Sequence, residues 1–226
     1  MGDLVKLAGY ERDLAASLDR MFENALDWEH LPHVHAHAFA SIDLVEERDS
    51  GWRATVDTPQ GGKLLIDLEL DRKAGCWTTN SYAGEMLVGR IVTHATATGP
   101  DSCRVDVEFL VPDPDAAQRA AFGDYYPALY AMLYDEDEAM MIARAEAVKR
   151  GPTALDERRT VTLASGEAAT VARYCPHLGL PLDAKPDDDG TITCPWHGYR
   201  FDIATGQCIS GAKCGWRVSA EVSVSE

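Results

Sequence analysis

A chain of 226 residues, 46% of them hydrophobic, is long enough for one large domain or two modest ones, and two is the expectation. Its 37 acidic against 21 basic residues leave a formal charge of −16, which repels phosphate backbones and anionic membranes and excludes nucleic acid and lipid surfaces as natural partners. No apolar run reaches the length of about 18 residues that a membrane helix needs, and the amino terminus lacks the basic-then-apolar order of a signal peptide, so a cytoplasmic protein is expected.

From Tyr10 to Trp28 the apolar residues Leu14, Leu18, Met21, Phe22 and Leu26 recur at three- and four-residue steps, which predicts a helix with one buried face. It runs into Asp27-Trp28-Glu29-His30-Leu31-Pro32-His33-Val34-His35-Ala36-His37, where four of the seven histidines fall within eight residues. Imidazole is the commonest side-chain metal ligand, so a metal site is the functional reading, against a polar turn of solvated histidines. Spacing leaves the ligands open. His33, His35 and His37 would share one face of a strand, whereas His30 and His35 bracket Pro32.

Next come six short runs rich in β-branched or aromatic residues, separated by turn signals: Ala40–Val45, Trp52–Val56, Leu64–Leu70, Trp77–Tyr82, Leu87–Ala97 and Arg104–Val111. They predict an antiparallel sheet, curved around a helix, with His94 as a packed or hydrogen-bonded strand residue. After Pro112 and Pro114 a helical pattern runs to about Lys149. Its stripe of Phe122, Tyr126, Leu129 and Leu133 continues to Asp137 and Met140, while Asp135, Glu136 and Glu138 are expected in solvent. A carboxylate on a buried stripe needs a cation beside it. Arg90 or Arg104 could supply one; a metal also bound by two histidines is the sharper reading, a set that suits ferrous iron with open positions. Asp135 is the fallback if the register slips by half a turn.

A linker is expected from Gly151-Pro152 to Thr160, dividing the chain into 1–150 and 151–226. Beyond it, Val161–Leu163 and Ala168–Ala172 read as a hairpin around Ser165-Gly166, Pro186–Gly190 as an acidic turn, and Trp216, Val218 and Val222 as a closing strand. Between them lie Cys175-Pro176-His177 and Cys194-Pro195-Trp196-His197, each offering one thiolate and one imidazole. A tetrahedral zinc is one occupant, but its ligands usually come as Cys-Cys and His-His pairs. The mixed pairing favours a 2Fe-2S centre with two cysteines on one iron and two histidines on the other. Cys76, Cys103, Cys208 and Cys214 read as small core residues, although the last two could complete a four-cysteine zinc site that leaves both histidines idle.

The two loops, continued by Gly198-Tyr199-Arg200-Phe201-Asp202 and Thr205-Gly206, resemble a Rieske domain, and the resemblance implies that Cys175 and Cys194 bind one iron and His177 and His197 the other. Where the respiratory-complex branch carries a disulfide between its loops, this chain has Leu180 and Trp196, so the match is to the ferredoxin and oxygenase branch, expected in the lower part of a potential window of about −150 to +300 mV. Asp27, His30 and His35 resemble the Asp-x2-His-x4-His motif of Rieske non-haem iron oxygenases, the family that includes phthalate dioxygenase and dicamba monooxygenase. That second resemblance implies an α+β fold, a helix-grip (START/SRPBCC-like) antiparallel sheet domain followed by a small all-β Rieske domain. It also implies mononuclear Fe(II) on His30, His35 and Asp137, with Asp27 between that iron and a Rieske histidine of a neighbouring subunit. His33 and His37 have no counterpart and read as pocket residues.

The implied activity is mono- or dioxygenation with O2 of a small organic substrate, aromatic or apolar, in a homo-oligomer, by analogy a trimer. No Gly-rich dinucleotide fingerprint appears, so electrons are expected from a separate NAD(P)H-dependent reductase or a ferredoxin. Trp28, Met86, Phe109 and Tyr130 are the candidate pocket lining. The domain order departs from the family, whose Rieske domain ordinarily comes first, and this puts any transfer of quaternary structure in doubt. The rival reading is a ligand-binding helix-grip protein whose cluster serves only electron transfer or sensing.

Overall fold

Period-two burial builds most of the first unit. In the computed structural model, which describes residues 4–211 and 213–216, the chain opens with strand β1 (Leu4–Leu14) and helices α1 (Leu18–Leu26) and α2 (Leu31–Val34). Strands β2 (Ser41–Arg48), β3 (Gly51–Asp57), β4 (Lys63–Asp71), β5 (Cys76–Ala83), β6 (Met86–Gly99) and β7 (Ser102–Pro112) follow, and then the long helix α3 (Ala116–Arg150). The seven strands form one antiparallel sheet in the order β1-β7-β6-β5-β4-β3-β2. On β7 the alternation is strict, with Cys103, Val105, Val107, Phe109 and Val111 buried and their neighbours not.

The six expected strands are present; five extend past the apolar runs at both ends, while the first begins one residue late, at Ser41, and runs on to Arg48. The expected helix from Tyr10 is corrected: Tyr10 to Leu14 belongs to β1, paired with β7, and the helix starts only after Ser17, whose hydroxyl accepts from the Arg20 N–H. Leu14 is buried as the last inward residue of a strand, after Tyr10 and Arg12, and not as the first of a helical stripe. His94 is likewise corrected, since it lies exposed on the outer face of β6.

On α3 the inward stripe also differs. Tyr126 stacks on Phe109 with centroids 5.2 Å apart, Tyr130 meets the same ring at 4.8 Å, and Tyr134 stacks on Tyr10 at 5.9 Å. The stripe therefore runs Tyr126, Tyr130, Tyr134, Asp137 and Met141, with Phe122 exposed. Arg12 ties β1 to this helix: its guanidinium lies 2.6 Å from both Asp135 and Glu138, and Glu138 also accepts the Ala15 backbone N–H. Glu138, expected in solvent, is thus a packed ion-pair partner.

By contacts the chain divides into two units, Met1–Ile142 and Ala143–Glu226, a seam inside α3 and ahead of residue 150. The second unit has its own core of Val161, Val171, Leu182, Ile192, Phe201, Ile203 and Trp216 around Cys175 and Cys194. Its strands are short: β8 (Arg158–Thr162) pairs with β9 (Ala168–Ala172), and β10 (Thr191–Thr193) with β11 (Arg200–Asp202). The expected linker holds a 3-10 turn, Pro152–Asp156, before β8 begins. Val218 and Val222, expected in a closing strand, lie outside the described residues. Among those residues no helix is long and apolar enough to cross a membrane.

Replacing Arg12 with Ala leaves Glu138 half-buried without its cation, and a loss of about 1–3 kcal/mol in urea-unfolding stability is expected.

Candidate metal centres

Three donors converge in the first unit. The α1 helix ends at Asp27, whose N–H bonds the Glu23 and Asn24 carbonyls, and Pro32 opens the one-turn helix α2. His30 and His35 therefore cap opposite ends of that single turn, with ring centroids 5.2 Å apart. Their Nε2 atoms lie 3.3 Å and 3.0 Å from the same oxygen, Asp137 Oδ1, which α3 brings in from its buried stripe. One ligand atom from each of His30, His35 and Asp137 lies within 4.8 Å of the other two, and all three residues are buried.

Asp137 meets neither Arg90 nor Arg104. Arg90 bonds Asn80, and Arg104 reaches Glu11, Asp13 and Asp106. The Asp137 neighbours are the two imidazoles and the Asn24 amide, which donates to Oδ1 at 3.0 Å.

Electrostatics at this point favour a cation. Burial works to lower the His30 pKa, but the carboxylates of Asp137 and Asp27 outweigh it and raise the group to about 10. For Asp137 burial works upward, yet His30 and His35 hold it below the ordinary carboxylate range. His30 is 2% exposed and neither of its ring nitrogens makes a hydrogen bond of good geometry. Its Nε2 faces the same Asp137 oxygen as His35 Nε2, and two buried imidazoles with one carboxylate are a donor set that fits a metal ion. A cavity of about 120 Å³ opens on this cluster, with Asp27, His30, Phe39, Tyr130 and Asp137 in its wall.

Two residues of this centre were missed or misread in the sequence. Glu136, expected in solvent, accepts from His35 Nδ1 at 2.7 Å and lies 3.6 Å from His37 Nδ1. A carboxylate on Nδ1–H fixes the tautomer that presents Nε2 as a lone pair and makes it more basic. Asn24, buried in α1, orients Asp137; the only signal for it was an amide among the buried positions of an apolar helix face. Asp27 Oδ2 stands 3.8 Å from His30 Nδ1. His37 lines a neighbouring larger cavity of about 280 Å³ with Phe109 and Tyr130, whereas His33 and Met86 are exposed and Trp28 packs on the core away from that wall.

The second centre is built from two loops with one plan. The Cys175 N–H bonds the Leu180 carbonyl and the Gly179 N–H bonds the Cys175 carbonyl; likewise Cys194 N–H to Tyr199 and Gly198 N–H to Cys194. Gly179 and Gly198 occupy the left-handed region, φ 73° and 65°, which the reversal requires and which a side chain would strain.

The plan sorts the ligands in kind. The Cys175 and Cys194 thiols lie close enough to shift each other's ionisation, and the His177 and His197 rings lie 4.8 Å apart at right angles. Cys194 is held below its ordinary pKa, first by the Cys175 thiol and then by the His197 side chain and the Trp196 and His197 backbone N–H groups, while Cys175 is pushed up. Sulfur beside sulfur, nitrogen beside nitrogen and amides aimed at a thiolate fit a binuclear cluster with two unlike iron sites. Cys208 and Cys214 are joined by the Cys208 N–H to the Cys214 carbonyl, and no four-cysteine group is found among the described residues.

Where a disulfide brace is absent, Trp196 of the second loop donates its indole N–H to the Pro181 carbonyl beside the first, at 3.0 Å. Arg144 and Arg150 hold the first loop further, through the Leu178 and Gly179 carbonyls.

Residues 138–216 match the Rieske 2Fe-2S domain family. Two curated relatives are similar over short stretches: apoptosis-inducing factor 3 of Mus musculus, 43% identical over 42 residues, and aminopyrrolnitrin oxygenase PrnD of Pseudomonas fluorescens, 44% identical over 46. Those stretches are 19% and 20% of this chain but only 7% and 12% of the relatives, so the chain spans a small part of each. Among solved structures, the Zhui aromatase/cyclase from Streptomyces sp. R1128 superposes with a TM-score of 0.54 at 9% identity, covering 65% of this chain and 98% of that one; the likeness is one of fold.

Trp196→Phe keeps the packing and removes the tie between the loops. The variant is expected to assemble its cluster but to lose visible absorbance at lower urea, by about 1 kcal/mol of stabilisation. The chain thus carries a START/SRPBCC-like antiparallel sheet with a long helix, followed by a Rieske domain, which implies a 2Fe-2S cluster.

Proposed function

We propose that the protein is a Rieske-type non-haem iron oxygenase acting on a small apolar organic substrate. The observation that carries the reading is the buried convergence of His30 Nε2, His35 Nε2 and Asp137 Oδ1 in a chain that also holds a Rieske domain. Two histidines and one carboxylate leave the remaining positions on a ferrous ion open, as dioxygen chemistry requires. When bound, the 2Fe-2S cluster and the ferrous ion would supply one-electron transfer and oxygen reduction, for which no side chain suffices.

The protein groups position and tune. Glu136 keeps His35 in the tautomer that offers Nε2, and Asn24 keeps Oδ1 of Asp137 turned to the histidines. Asp27 stands beside His30 Nδ1, which supports a role in orienting that ring, and by analogy with the family it is the polar link to a cluster histidine of a neighbouring subunit. The apolar walls of Phe39, Ile66 and Tyr130 keep bulk water from the open side. Similarity to PrnD, an oxygenase, supports the assignment. Reducing equivalents come from a separate reductase or ferredoxin, and O2 is the co-substrate.

Anaerobic reconstitution tests the reading. Wild-type protein is expected to hold about three irons per chain, two in the cluster and one mononuclear, and His35→Ala about two, with the electron-spin signal of the reduced cluster unchanged. Equal iron in both would leave a ligand-binding protein with an electron-transfer cluster. Glu136→Gln is expected to bind the third iron about 10–100-fold more weakly without changing the saturating stoichiometry, as ferrous titration would show.

A further inference from the structure

The larger cavity of the first unit, about 280 Å³, is of the size of small-ligand sites and is bounded by Phe39, Phe109, Tyr126 and Tyr130 with aliphatic residues of the sheet. It shares Phe39, Ile66, Thr79 and Tyr130 with the cavity that opens on His30 and Asp137, so the two cavities adjoin along those four residues.

Charge decides what enters. Arg90 borders the cavity, yet it belongs to the outward row of the sheet: it pairs in register with Asn80, Asn80 with Asp67, and Asp67 with Arg53, while Ile66, Thr79, Ile91 and Phe109 form the inward rows. Arg90 Nε is held by Asn80 on that outer face. His37, at the rim, is 3.6 Å from Glu136. No inward side chain of the cavity therefore offers a cation to a carboxylate or an anion to an amine, and a charged ligand would lose its hydration without a partner.

What remains is hydroxyls and the amide of the exposed Gln60. Among the described residues, Thr79, Ser81, Tyr126 and Tyr130 make no side-chain hydrogen bond to the protein, although all four line the cavity. Tyr130 is the one phenol that also lines the cavity at the metal-binding cluster. Its O–H is a donor without an acceptor, placed where the two cavities meet.

We infer that the cavity takes an uncharged, flat aromatic compound bearing an acceptor oxygen, with its ring among Phe39, Phe109 and Tyr126 and its oxygen on the Tyr130 hydroxyl, at the side nearest His30 and Asp137. This rests on the oxygenase reading for the fate of the ligand, whereas binding itself needs no iron. Tyr130 is a specificity-determining residue in this account.

The experiment is equilibrium binding to the full-length holoprotein, followed by calorimetry, with three probes that share one ring system: 2-methoxynaphthalene, naphthalene and 2-naphthoate. The expected order is 2-methoxynaphthalene tightest, naphthalene about tenfold weaker and 2-naphthoate weakest. Tyr130→Phe, which keeps the ring packing, should bring 2-methoxynaphthalene to the level of naphthalene and leave naphthalene unchanged. Arg90→Gln should alter none of the three. Preferred binding of 2-naphthoate, an equal loss for all probes in Tyr130→Phe, dependence on Arg90, or no binding of any probe would overturn the inference. His35→Ala separates it from the oxygenase reading: the same probe order with no change in iron content sinks the oxygenase reading alone, and a changed order with the third iron lost sinks this inference alone.

Discussion

The first unit depends on a carboxylate placed where a carboxylate does not belong. Asp137 falls on the inward stripe of α3, between Tyr134 and Met141, and its burial would cost several kcal/mol without partners. Three side chains from two elements answer it: the Asn24 amide of α1, and the imidazoles of His30 and His35 at the two ends of α2. All of them aim at one oxygen. A purely structural aspartate would be satisfied by one or two of these groups; two imidazoles crowding one oxygen, with His30 otherwise without hydrogen bonds, is the arrangement of ligands around a cation.

The second unit solves a related problem by repetition. Two loops with the same turn, each closed by a glycine in the left-handed region, bring like ligands together, and backbone amides stabilise one thiolate. The indole of Trp196 and the guanidinium groups of Arg144 and Arg150 fasten loops that lack a covalent tie. Both sites thus rest on neighbours that touch the ligands or their loops, and the ligands alone describe neither.

Much of this was legible in the sequence, for physical reasons. Cys175, His177, Cys194 and His197 are dense, chemically distinctive and local, so their spacing is nearly the geometry. Six strands announced themselves through β-branched alternation and turns. The Asp137 register followed because a helix of this length keeps its phase over many turns: the expected Met140 is buried and Leu129 and Leu133 line the cavities, while Tyr130 and Tyr134 join the stripe and Phe122 leaves it. Strand β1 was hidden because Tyr10, Arg12 and Leu14 alternate with charged residues, and Leu14 sits four residues before Leu18, so the two periods share a member. Glu136 and Asn24 were illegible for another reason: their roles are set by partners more than a hundred residues away. No local pattern carries such contacts.

The cavities give the account its chemistry. Apolar walls, unpartnered hydroxyls and a three-donor cluster lie together within a single sheet-and-helix unit, and the carboxyl-terminal domain supplies a site suited to one-electron work. Anomalous scattering measured at the iron edge from crystals of ferrous-reconstituted protein tests this most directly. The account predicts a discrete peak enclosed by His30, His35 and Asp137, separate from the density at the cysteine loops. Density at the loops alone, with the His30 and His35 rings turned away from Asp137, would contradict it.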